Sequence, residues 1–273
     1  MNKRIFLYTF LVFISANSLF AVTNEWVAGG TAGDWEDPAN WDEGRVPQAG
    51  DDVLIDGSYT VTLESSPTIE SLTLRAGADL IIASTFTLNV EDNSGSTDGV
   101  DLAGTGTTLT IHGTLNSSGH TGSGADGIEI NSGSSLTLSV SGSIYISNVD
   151  GYGIDINNDA LAVTVSGNIT INDVGKAGIA LNADFINSGT ISITNPGTNE
   201  DGISTNGNDG EVPDRTFTNS GTITVVGGVN GMDISTAWTL TNTGTIILSG
   251  ASVALVDSGS DIDNFGTFKQ CFC

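Results

Sequence analysis

From about residue 51 onward the apolar positions alternate with polar ones in runs of three to five residues, as in Val100-Asp101-Leu102, Leu109-Thr110-Ile111 and Ile128-Glu129-Ile130. A period of two, carried by Val, Ile, Leu and Thr and bounded by Gly, Asn, Asp and Ser, predicts short half-buried strands joined by tight turns. Helical spacing of apolar residues is almost absent. The runs come in threes, and the threes recur. A Gly-apolar-x-apolar element starts at Gly99, Gly127, Gly153, Gly178, Gly202 and Gly231, with spacings of 28, 26, 25, 24 and 29 residues. A second element follows each at Gly113, Gly142, Gly167, Gly189, Gly221, Gly244 and Gly266. A third apolar run, such as Leu136-Thr137-Leu138 or Val163-Thr164-Val165, lies between the two.

Three short strands per repeating unit are the signature of a solenoid in which each strand pairs with its equivalent one turn away. The expected fold is therefore all-β: a right-handed parallel β-helix with about 25 residues per rung and three strands in each. Two asparagine columns support that register. Asn131, Asn157, Asn182 and Asn206 stand four residues after the first glycine, and Asn187, Asn219, Asn242 and Asn264 two residues before the second. An amide repeated at one rung position can donate to one neighbour and accept from the other at the inter-strand spacing. In earlier units the second column reads Ile111, Val140 and Val165, so the position is expected to point inward, apolar early and amide-lined late. The glycines of the first element, as in Asp98-Gly99, Asp126-Gly127 and Asp201-Gly202, are expected to supply positive φ where the chain bends into each strand.

Residues 1–21 change the picture of where the chain works. Lys3 and Arg4 precede an apolar run from Ile5 to Ile14, and the small residues Ala16, Ser18 and Ala21 follow. This is the pattern of a secretory signal, so the protein is expected to be secreted and to act outside the cell or at its surface. No later stretch is long and apolar enough for a transmembrane helix. Removing residues 1–21 leaves five basic against 32 acidic residues, a net charge of −27. That excess argues against nucleic acid, whose phosphates need clustered Lys and Arg, and against an anionic membrane surface. Cys271 and Cys273 are the only cysteines, so no disulfide framework is expected. Ile262 to Phe268 begins a further repeat that reads as cut short, and an uncapped last rung is expected to invite end-to-end self-association.

Residues 22–60 differ from the repeats. They hold Trp26, Trp35 and Trp41, then Arg45-Val46-Pro47 and Gly50-Asp51-Asp52. Here the chain resembles the start of many bacterial extracellular parallel β-helix proteins of the pectin-lyase-like superfamily and of adhesin passenger domains. The resemblance implies an N-terminal capping region over residues 22–60, with β-helix repeats over 61–273. It also implies two functional classes, surface adhesion and action on polysaccharides. An exposed tryptophan in the cap could stack on a sugar.

Enzymes of that superfamily carry their sites on an outward strand face. The outward residue of the first element is Asp101, Glu129 and Asp155 in three consecutive units, then Ala180, Ser204 and Asp233. Stacked carboxylates are the hard oxygen donors that Ca²⁺ prefers, so Asp101, Glu129 and Asp155 are the candidate metal site, with Ca²⁺ the candidate cofactor. They are expected to be solvated and equivalent, without the protonated and ionised pair a glycosidase needs. The cations of the repeats, Arg75, Lys176, Arg215 and Lys269, do not share the phase of the acidic column, and the superfamily's arginine and histidine motifs are missing. His112 and His120 lack the partners of a zinc site. A polar excursion at 207–216, ending in Asp214-Arg215-Thr216, is a further candidate binding loop. The expected function is an exported structural or adhesive module that binds polysaccharide or cell-surface components without catalysis. The alternatives are a polysaccharide-active lyase or hydrolase and a Ca²⁺-stabilised spacer.

Overall fold

The computed structural model describes residues 22–30, 32–92, 97–131, 133–139, 141–157, 160–161, 163–205, 215–235, 237–257 and 259–271. The expected signal, most of the 207–216 loop, Val140, Asn206 and Cys273 lie outside them. The chain winds as a parallel β-solenoid of about nine turns with three sheets. The first sheet has ten strands, from Val22–Glu25 to Val253–Asp257. The second runs from Thr60–Leu63 to Asp261–Asn264 and the third from Thr68–Ile69 to Thr267–Cys271, with nine strands each. Every ladder between these strands is parallel, and each strand pairs with its equivalent one turn on. Among the described residues the sole helical element is one 3₁₀ turn, Pro38–Asn40.

Alternation turns into columns once strands are stacked in register. Inward columns such as Val53, Leu72, Val100, Ile128, Ile154, Ile179 and Ile203 are fully buried. Each such side chain contributes about 1.5–3 kcal/mol by leaving water. The amide column follows the same logic. Asn187, Asn219 and Asn242 are buried, and their Nδ2 groups donate to Oδ1 of Asn219, Asn242 and Asn264 at 2.7 Å each. The residue that precedes this column two rungs earlier is Leu138, which pairs with Val165 and Ile111, and not Val140. The turn before Gly142 is two residues longer than its neighbours, which displaces a count made from the glycine.

Neither glycine column has positive φ, contrary to the sequence expectation. Their requirement is closeness. A Cβ at Gly178 would lie 2.5 Å from Ile193 Cγ2 and 2.7 Å from the Gly202 carbonyl, and one at Gly189 only 2.0 Å from the Gly167 carbonyl. One series of left-handed positions recurs at or just beyond the end of the third strand, at Gly119, Asn148, Asp173, Asn195, Gly227 and Gly250, with φ between 53° and 96°. Gly and Asx residues tolerate that region best.

Residues 22–60 supply the first two strands of the first sheet together with an aromatic plug. Trp35 and Trp41 meet edge to face at 4.8 Å, Trp26 and Trp41 at 5.1 Å, and Trp41 Nε1 donates to the Trp35 carbonyl at 2.8 Å. Residue 34 bridges to Thr62, so this segment covers the open edge of the second sheet's first strand. Arg45 clamps buried Asp51 with both guanidinium arms. All four tryptophans are at least 98 % buried, so none is available to stack on a sugar.

Candidate functional site

The strands Val100–Ala103, Ile128–Ile130 and Ile154–Ile156 put Asp101, Glu129 and Asp155 in register on the outer face of the first sheet. Two buried aliphatic residues flank each acid, so the strand cannot turn it inward. Thr73 precedes the column, and Ala180 and Ser204 follow it. The sequence reading of this column holds. Its expected solvation does not, because all three acids are only partly exposed. The outer asparagine column lies against two of them. Asn131 Nδ2 donates to Asp101 Oδ1 at 2.9 Å, and Asn157 Nδ2 to Glu129 Oε1 at 2.9 Å and to Asn131 Oδ1 at 3.0 Å. Burial raises the pKa of each of the three acids. The Asn131 amide and the Arg75 charge partly offset this for Asp101, and the Lys176 charge for Asp155.

The surrounding groups were not legible as one site in the sequence. Asp98 and Asp126 sit at the corner just before the glycine column. Asp98 Oδ1 accepts the Asp126 N–H at 2.7 Å, and Asp126 Oδ1 accepts the Tyr152 N–H at 2.6 Å. Asp126 is buried, and burial, opposed by the Tyr152 bond, pushes its carboxyl up to about 7. The Lys176 Nζ lies 4.3 Å above the Tyr152 ring, a cation–π contact. Arg75 stands one column over from Thr73, paired with Ala103. Arg75 and Lys176 therefore border the acids from adjacent columns and turns, where a count of phase along the chain does not find them. An open groove of about 450 Å³ runs between Arg75, Asp98, Asp101 and the rim at Ser123, Gly124 and Ala125. Among the described residues no three His, Cys, Asp or Glu side chains are gathered as a metal-binding group, although the three acids are stacked.

A second polar constellation is internal. Ser117 occupies an inward column that reads Val90 before it and Ile146 after it, and His120 fills the space this small residue leaves. Ser117 Oγ lies 3.0 Å from His120 Nε2 and 2.9 Å from the Gly127 carbonyl, and His120 Nδ1 lies 4.0 Å from Asp92 Oδ2. The residue types are those of a nucleophilic triad, but Ser117 and His120 are at least 99 % buried and no substrate reaches them. Burial lowers the His120 pKa, with Asp92 and Asp98 opposing. The Ser117 and His120 side chains both lie within the core, while His112 is exposed. Arg215, expected in a binding loop, begins the strand Arg215–Asn219, is buried, and pairs in register with Trp238.

No protein-family model, curated protein or solved structure matches this chain. The fold stands on its own register, and a place in the pectin-lyase-like superfamily or among adhesins does not follow from it.

Proposed function

We propose that this chain is an exported structural and adhesive module that binds polysaccharide or cell-surface components without turning them over. The observation that carries the reading is the use of the acidic column as architecture. Asp101 and Glu129 are hydrogen-bonded into the outer asparagine column, and burial raises all three acids together rather than splitting them into acid and base. A catalytic carboxylate pair needs environments that push its members apart. The signal-like residues 3–21 and the acidic excess support export, and the ladders and aromatic plug support a rigid display surface.

The test is incubation of residues 22–273 with neutral and acidic polysaccharides, followed by sizing of the glycans and measurement of protein retained on each. Retention with intact chains is expected; shortened chains would overturn the reading. One observation favours the enzymatic alternative. Asp126, pushed up to about 7, and Asp155, beside the Lys176 charge, lie in one neighbourhood with unequal surroundings. On that alternative Asp155→Ala abolishes product.

A further inference from the structure

The outer face of the third sheet carries a regular polar surface. Six successive strands, from Thr114–Ser118 to Thr245–Ser249, place three outward residues each in unbroken register. Of these 18 positions, twelve are Ser or Thr, three are Asn, and the others are Tyr145, Val226 and Ile247. None is charged. At the chain-wide share of 14 % charged residues, two or three would be expected, in a protein of strongly acidic balance. Avoidance of stacked like charges does not explain this, because the first sheet stacks Asp101, Glu129 and Asp155 at the same spacing. Nor is β propensity a sufficient reason, since over the same turns the Thr-rich second sheet carries Asp184 at an outward position, bonded to Thr216.

The hydroxyls of this face are also unspent. Among the described residues, only Asn116, bonded to Asn89, and Ser249, bonded to the Val225 carbonyl, use a side-chain hydrogen bond there. The result is a grid of free donors and acceptors, spaced about 4.8 Å along the solenoid and about 6.6 Å across it, over a length of about 24 Å. Tyr145 stands within the grid with 48 % of its surface exposed.

We propose that this face is the docking surface of the module, and that its partner is an uncharged, extended polysaccharide. The inference rests on the adhesive reading and names its surface and ligand class. A neutral hydroxyl-rich chain has no charge to desolvate against an uncharged grid, and its repeating hydroxyls can pair with repeating ones, while Tyr145 offers a ring to a sugar face. An acidic glycan would be repelled by the chain's negative field, with Lys269 at one end the one cation among the described residues of these columns to hold it. A second copy of the chain fits less well, because protein interfaces gain their energy from large apolar and Arg anchors, and Ser and Thr seldom supply it.

The test uses residues 22–273 and two probes, microcrystalline cellulose and polygalacturonate. A face variant, Tyr145→Ala with Thr170→Glu and Thr224→Glu, is compared with a control carrying Thr137→Glu and Thr241→Glu on the second sheet. All five positions are at least partly exposed and point outward, and circular dichroism checks that both variants fold. The wild type and the control should be retained on cellulose in preference to polygalacturonate, and the face variant should bind about tenfold more weakly or worse. Retention of wild type and face variant alike would overturn the assignment of the face while leaving the adhesive reading intact. Retention of the wild type on polygalacturonate alone would overturn the ligand class. No retention of the wild type on any glycan would remove the adhesive reading itself, and a change in sedimentation without a change in retention would give the face to a second copy instead.

Discussion

Replacing Asp126 by Asn should stabilise the protein, and should do so only where the wild-type carboxyl is ionised. The side chain is buried, and its Oδ1 accepts the Tyr152 N–H at 2.6 Å, a bond that an Asn oxygen can also accept. Burial raises the folded-state pKa from the ordinary 3.8 to about 7. The folded state therefore holds its proton more tightly than the unfolded chain. Asp126's contribution to stability is complete below pH 3.8, is lost as pH rises, and has gone above about 7. At about 1.36 kcal/mol per pH unit, that difference sets an upper limit of about 4 kcal/mol. Relaxation at the corner brings the expected value to about 1–3 kcal/mol. Equilibrium denaturation by guanidinium, followed by far-ultraviolet circular dichroism at pH 4, 6 and 8, measures it. Asp126→Asn should match the wild type at pH 4 and exceed it progressively at pH 6 and 8. Parallel pH profiles for the two proteins would refute the buried-carboxylate reasoning.

Further outcomes follow from the core. Asn219→Leu leaves the Asn187 donor and the Asn242 acceptor without their partner, and should cost about 2–5 kcal/mol in the same denaturation assay; a neutral or stabilising result would show that the column is held by shape alone. Gly178→Ala puts a methyl 2.5 Å from Ile193 Cγ2 and should destabilise by about 1–3 kcal/mol, read as a lower melting temperature. Because burial lowers the His120 pKa, its imidazole should stay neutral below the ordinary pKa of 6.5 in a nuclear magnetic resonance titration, and the stability it contributes should fall as pH drops beneath that value; a normal or raised titration midpoint would contradict the sealed site. Chelation with EDTA should leave the melting temperature unchanged, since the stacked acids are held by Asn131, Asn157 and their strands; a fall of several degrees would restore Ca²⁺ to the column.

The solenoid was legible because alternation, glycine spacing and the Asn187 to Asn264 column all repeat with one period, and a parallel ladder turns any such repeat into a stack. The outward placement of Asp101, Glu129 and Asp155 was legible for the same reason. What could not be read was everything that depends on distance between columns. Arg75 and Lys176 reach the acids from neighbouring columns, and Asp126 is buried by a corner whose shape no local pattern encodes. The triad-like meeting of Ser117, His120 and Asp92 arises because one small residue interrupts an aliphatic column. The glycines were assigned the wrong cause, because a close carbonyl one rung away and a left-handed turn both demand glycine in a sequence. The register failure at Val140 came from a turn two residues longer than its neighbours, which only the pairing of Leu138 with Val165 reveals.

The most direct test of an architectural, non-catalytic acidic column is the triple variant Asp101→Asn, Glu129→Gln, Asp155→Asn, assayed for glycan retention and for glycan chain length beside the wild type. Equal retention, intact glycans with both proteins and undiminished stability at pH 8 are the expected result. Glycans shortened by the wild type and spared by the variant would contradict it, and would make these acids the working groups of an enzyme.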